Sequence, residues 1–178
     1  TIDPTIDTSK EESVFDTYIY PGDENTNRNE QDVLKVGVDE NNTVYRTLMK
    51  FTLPNIGTAS DVIDARVCIV PHPDKYYYSY QNFEKDIINV HAINIPWKEE
   101  DATWNGMHDK YNDKVEDYFY GEYAIQVPEF NENGGLIGYK CELNSSYFNI
   151  TNLVKRWYTG LENNGILLRR IPRILFFF

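Results

Sequence analysis

The stretch 45-YRTLMKFTLP-54 decides the fold. Tyr45, Thr47, Met49, Phe51 and Leu53 alternate with Arg46, Leu48, Lys50 and Thr52. A period of two, with apolar residues gathered on one side, reads as a half-buried β-strand. Pro54 stops it, because proline has no N–H to give to a ladder. Working outward, the same kind of segment recurs between turn residues. Residues 14–20 run into the cluster Pro21-Gly22-Asp23-Glu24-Asn25, and 32–38 run into Asp39-Glu40-Asn41-Asn42. Residues 65–70 alternate with Ala65, Val67 and Ile69 inward and stop at Pro71-His72-Pro73. Residues 87–95, 121–127, 137–143 and 165–168 complete the set. Short strands between turns, without long helices in alternation, predict an all-β antiparallel sandwich or barrel.

One helix is predicted, over 151–158. Thr151 stands where an N-cap would, and Leu153, Val154 and Trp157 share a face. Gly160 follows, where a left-handed residue ends a helix. Two turns are too short to be stable alone, so this helix must pack on the sheet.

With 178 residues, 41% of them hydrophobic, the chain makes a single domain over 1–178 with a sizeable core. The net charge is −11. From Val154 onward there are five bases and one acid, so the first 153 residues carry −15. Such a body repels nucleic-acid phosphate and anionic lipid, and no apolar run is long enough to insert into a membrane. The basic last segment could bind a polyanion, but its arginines are expected to flank a final strand and pair with acids. Cys68 and Cys141 form no CxxC pair and lie in strand-like runs, which favours buried free thiols over a bridge. His72, His91 and His108 lack a metal-ligand spacing.

Taken in order, "DTYIYPGDENTN" (16–27), "LKVG" (34–37), "YRTLMKFTLP" (45–54), "DARVCI" (64–69), "INVHAI" (88–93), "PWKEEDATWNG" (96–106) and "FNITNLVKRWYTGLENNGILLR" (148–169) resemble the DNRLRE domain. That domain is related to the family 96 carbohydrate-binding modules and to disaggregatase-related repeats. "TIDPTI" (1–6) is similar to the segment that leads into such domains in bacterial surface proteins, some with Rhs or YD repeats, which makes residues 1–12 a lead-in. The resemblance implies a jelly-roll-like sandwich without catalytic activity, extracellular or on the cell surface. It implies binding of polysaccharide or cell-surface glycan, or attachment to neighbouring modules of a larger chain. Residues 74–85 and 107–120 stand out as insertions against that pattern.

Three clusters bear on chemistry. In 96-PWKEEDATWNG-106, Trp97 and Trp104 can bury their rings against the sheet, while Thr103 and Asn105 bond the local backbone. Glu99, Glu100 and Asp101 are then expected to face solvent. A glycosidase would need two carboxylates held about 5–9.5 Å apart across a cleft, and consecutive acids on an arm do not supply that. The second cluster, Tyr76, Tyr77, Tyr78, Tyr80 and Gln81, has the rings and amide that a sugar platform needs; its alternative is a hairpin whose aromatics cover a sheet. Tyr118 and Tyr120 could line the same end or pack under a loop. The third cluster is oxygen-rich: Asp23, Asn25, Asp39 and Asn41 could hold a structural Ca²⁺, although solvated turns use the same residues. No cofactor is required by any of these readings. No nucleophile elbow, P-loop, dinucleotide fingerprint or HExxH occurs. Three functions stay in play: a glycan-binding module, a structural spacer and a polysaccharide-degrading enzyme.

Overall fold

In the computed structural model the described residues are 14–23, 25–28, 33–70, 86–121, 125–142 and 146–171, with backbone alone at 23, 86, 121, 125–129 and 138–142. Among the described residues ten strands form: β1 Val14–Ile19, β2 Gly37–Val38, β3 Val44–Phe51, β4 Arg66–Ile69, β5 Asp86–Ile93, β6 Tyr111–Gly121, β7 Ile125–Phe130, β8 Leu136–Glu142, β9 Ser146–Asn149 and β10 Ile166–Arg170. One turn of helix, α1, spans Trp104–Met107, and α2 spans Thr151–Tyr158. All strand pairs are antiparallel. The main sheet runs β1-β3-β10-β5-β6, with β2 joined to β3. β4 pairs with β9, and β7 pairs with β8 in a separate hairpin.

The result is an all-β antiparallel sandwich. One face of the main sheet presents Met49, Phe51, Ile88, Val90, Ala92, Phe119, Ile166 and Leu168. Above it lie Phe148 and Ile150 at the end of β9, the inward residues Val67 and Ile69 of β4, and the buried face of α2. That face is Leu153, Val154 and Trp157. The opposite face presents Ile19, Leu48, Ile93 and Leu167, roofed by Trp97, Ala102 and Met107 of the arm 96–107. Leu48 and Leu167 are fully buried. Each contributes about 1.5–3 kcal/mol by leaving water.

β3 is therefore not the half-buried strand that its alternation predicts. It is second from the edge with both faces covered, because the arm folds over Leu48. Two strands were not legible as strands. β6, Tyr111–Gly121, falls in the segment read as an insertion, and β9 was not foreseen. β6 hides its pattern with charges and with bulges opposite Val90–His91 and His91–Ile93. The bulges turn Glu116 and Asp117 towards the helix layer together. Glu116 pairs with Arg156 of α2, and Asp117 Oδ2 accepts the N–H of Asn149 at 2.6 Å. Of the segment 32–38, only Gly37 and Val38 are strand.

α2 occupies the predicted span, but Thr151 is not its cap. Asn149 Oδ1 accepts the Thr151 N–H at 2.9 Å, and the Thr151 hydroxyl oxygen accepts the N–H of Ala65 at 2.8 Å. Thr151 thus stitches the helix start to the strand beside it. The other end closes as a Schellman motif: Leu161 N–H bonds Arg156 O, Gly160 N–H bonds Trp157 O, and Gly160 has φ +111°. Cys68, expected to be buried, is exposed on the outer side of β4, opposite Tyr147. The inward sites of that strand are taken by Val67 and Ile69.

Candidate functional site: a tyrosine- and arginine-lined sheet face

The arm covers only part of its face of the main sheet. Beyond it the register lays out a row that runs from half-buried to exposed. Arg169 of β10 lies opposite Asn89 of β5, and Asn89 lies opposite Tyr118 of β6. Directly opposed residues on antiparallel strands point to the same side, about 5 Å apart from strand to strand. Continuing the β3–β10 register one step beyond Leu168 and Thr47 sets Arg46 beside Arg169. The row therefore reads Arg46, Arg169, Asn89, Tyr118 across four strands. Tyr120, two residues along β6, is on the same side. The Tyr118 and Tyr120 rings stand edge to face with centroids 5.8 Å apart, and the residues are 52% and 45% exposed. Phe119 between them is buried in the other core.

At the arm end of the row the side chains interlock. The Arg46 guanidinium lies 5.0 Å from the Trp104 ring centroid and 5.7 Å from that of Tyr111. Arg169 lies 5.3 Å from the Tyr111 centroid and donates to its hydroxyl. Arg46 donates to the carbonyl of His108, whose ring stacks on Trp104 with centroids 5.1 Å apart. His91 sits underneath, 4.8 Å from the Tyr111 ring, with Nδ1 2.8 Å from the carbonyl of Asn112.

Burial holds the His91 pKa below the ordinary imidazole value, and Arg169 pushes it the same way; the Asn112 carbonyl pulls it up. On acidification the unfolded chain therefore takes a proton before the folded chain does. Stability is fully present above the ordinary imidazole value and is lost as pH falls from that value towards the folded one. Urea midpoints across this range should fall with pH in the wild type and flatten in His91→Gln. An unchanged slope in the variant would place the effect elsewhere.

The arm itself is pinned at several points. Trp97 is buried, and its Nε1–H donates to Asn164 O at 2.8 Å. Trp104 is half-buried against Arg46 and His108. Thr103 Oγ1 accepts the N–H of Gly106 at 3.3 Å, capping α1, and Asn105 Nδ2 donates to Asn25 Oδ1 at 3.1 Å. Glu100 and Asp101 are exposed. Glu99 is not: half-buried, it accepts the N–H of Asp16 at 3.3 Å. Asp16 belongs to β1, which ends the sheet among the described residues, and Glu99 accepts from one of its backbone donors. Burial raises the pKa of both Glu99 and Asp16. An open depression of about 350 Å³ beside the arm is lined by Pro96, Trp97, Lys98, Asp101 and Met107, so among the described residues it holds a single carboxylate.

Among the residues singled out from sequence, Trp157 lies in the core under α2. Tyr76, Tyr77, Tyr78, Tyr80 and Gln81 lie outside the described residues, as does the Asp23 side chain. Asp39 uses its carboxylate within its own turn: Oδ1 accepts the N–H groups of Asn41 (2.9 Å) and Thr43 (2.8 Å), and Oδ2 accepts from the Tyr45 hydroxyl (3.2 Å). These bonds hold its pKa low. Asn41 is exposed, and Asn25 meets Asn105 rather than Asp39. Among the described residues no group of three or more His, Cys, Asp or Glu is placed to hold a metal ion, and no helix is long and apolar enough to cross a membrane. Sequence reading assigned no glycan-binding role to Arg46, Asn89, His91 and Arg169. Their signal was positional, since all four fall on one side of strands that become neighbours only in the folded sheet. Arg169, expected to pair with an acid, meets Tyr111 instead, while Arg156 does find Glu116.

No known family matches the chain. No curated protein and no solved structure matches it either. The functional reading therefore rests on the face just described.

Proposed function

We propose that the protein is a non-catalytic, extracellular glycan-binding module of a larger cell-surface protein, with its ligand lying along the β10-β5-β6 face. The observation that carries this reading is the pair Tyr118 and Tyr120. Two wet rings stand on a rigid sheet beside Asn89 and Arg169, which can bond sugar hydroxyls. Buried aromatics need no ligand to explain them, but adjacent half-exposed ones leave apolar area that a sugar face would cover. Tyr76, Tyr77, Tyr78, Tyr80 and Gln81 belong to the proposed binding set on their chemistry alone. The jelly-roll-like connection and the DNRLRE kinship are parts of the same proposal. The reading requires no cofactor.

Affinity electrophoresis against a panel of polysaccharides tests it. Tyr118→Ala and Tyr120→Ala should each weaken retention by about tenfold, equivalent to about 1.4 kcal/mol. Neither should lower the melting temperature appreciably, because both rings are exposed. Loss of the reading would follow from no retention by any polysaccharide, or from variants that bind like the wild type. Release of reducing ends from the same panel would instead favour an enzyme.

One observation favours the spacer reading. Phe130, Leu136 and Ile137, at the end of the β7–β8 hairpin, are exposed, and such a tip suits packing against a neighbouring module. A spacer would show no retention, and Ile137→Ser would weaken its association with that neighbour.

A further inference from the structure

The sheet face carries a charge anomaly. Arg46 and Arg169 stand side by side on adjacent strands of a strongly acidic protein, and like charges in that position are destabilising. Among the described residues neither has a carboxylate within ion-pairing distance. Each spends a donor internally, Arg46 on His108 O and Arg169 on the Tyr111 hydroxyl. Among the described residues, two further polar atoms of the same cluster are buried without a hydrogen-bond partner: Arg46 Nε and His91 Nε2. His91 is only 4% exposed. A buried polar atom left unpaired costs about 1–3 kcal/mol. Three strands thus present two guanidiniums and an imidazole to one small region, walled by Trp104 and Tyr111.

We infer that Arg46, His91 and Arg169 form an oxyanion site, which seats the sulfate or carboxylate group of the bound glycan. The assignment of a glycan rests on the function proposed above; the anion site rests on the arginine pair and the unpartnered buried nitrogens. Guanidinium is suited to this task because its planar fork bonds two oxygens at once. Asn89 and Tyr118 continue the row, so a sugar held by its anionic group would extend over the exposed rings. Protonation of His91 would add a third donor. The groups facing it are Arg169, Tyr111, the Asp113 carboxylate and the backbone carbonyls of Asn112 and Lys114. A bound anion should favour the imidazolium.

The test titrates sodium sulfate into the whole chain at ionic strength fixed with sodium chloride, following the Trp104 indole and the His91 ring by NMR. The expected result is a saturable shift confined to these groups and Tyr111, stronger as pH falls through the imidazole range. Arg169→Gln should weaken it by about tenfold or more, the loss of a charge-assisted hydrogen bond. Arg46→Lys, which keeps the charge and removes the fork, should also weaken it; circular dichroism confirms that both fold. A shift that only tracks ionic strength, or a carboxylate of this chain found bonded to Arg169, overturns the site. Two polysaccharide arms, one sulfated and one built of uronates, identify which oxyanion competes with inorganic sulfate. If Tyr118→Ala abolishes glycan retention while sulfate neither binds nor competes, the anion site falls and the glycan reading stands. If sulfate binds saturably and no glycan is retained, the anion site stands and the glycan reading falls.

Discussion

Replacing Gly165 by alanine is expected to lower the unfolding free energy by about 2–5 kcal/mol. The left-handed backbone at φ +79° accounts for about 1–2 of that. The remainder, about 1–3, comes from overpacking. A Cβ built at this position would stand 2.2 Å from the carbonyl oxygen of Met49 and 2.9 Å from Lys50 Cα, both backbone atoms of β3 that cannot swing aside. The position is fixed from several directions. Asn163 Oδ1 accepts the Gly165 N–H at 3.1 Å, Asn163 Nδ2 donates to Phe51 O at 2.8 Å, and Gly165 O accepts the Ile93 N–H at 3.1 Å. β10 thus enters the sheet between β3 and β5 on a turn that only glycine fits. Gly160 supplies the control. It too has a positive φ, +111°, but nothing lies within 4 Å of its would-be Cβ, so Gly160→Ala should cost only the backbone share. Thermal melts separate the two, the Gly165 variant falling by on the order of 10 °C. Equal effects would show that close packing at the β10 entry contributes nothing.

The comparison also shows what a sequence can carry. The period of two over 45–53, the turn clusters and the short helix were each local patterns, and each is present in the fold. What failed was non-local. That Leu48 would be as buried as Met49 depends on an arm 50 residues away folding over it, and nothing within 45–53 encodes that. β6 was hidden because its inward Phe119 is flanked by residues that face the opposite side or a bulge, so its apolar period is broken. The Arg46–Arg169–Asn89–Tyr118 row could not be read at all. It needs the strand order β3-β10-β5-β6, in which the last strand inserts between two earlier ones. Trp97 and Trp104 were legible as anchors because two large rings on a short segment have few other places to go. The Glu99 contact to the edge of β1 was not, since a carboxylate covering a backbone donor looks in sequence like any other exposed acid.

Trp97→Ala should destabilise the protein by about 3–5 kcal/mol, the usual cost of emptying a buried tryptophan site. The ring roofs the second core over Ile19, Leu48 and Leu167, and it also satisfies Asn164 O, which belongs to a residue only 4% exposed. Truncation therefore opens a cavity and leaves that carbonyl without its partner. Trp97→Phe isolates the second effect: it keeps much of the apolar cover and loses the hydrogen bond, so it should cost less, about 1–3 kcal/mol. Glu100→Gln and Asp101→Asn, on the exposed side of the same arm, should fall within about 0.5 kcal/mol of wild type. Urea denaturation orders the four variants, and the order matters more than any one value. If the acid substitutions were the costly ones, the arm would be held by its charges and not by its rings. The arm also carries Trp104 against Arg46. A loosened arm should therefore weaken sulfate binding in the fraction of Trp97→Phe that stays folded, whereas Glu100→Gln leaves both stability and binding in place. That pairing ties the stability of the arm to the proposed anion site: the tryptophans hold the wall against which the two arginines stand.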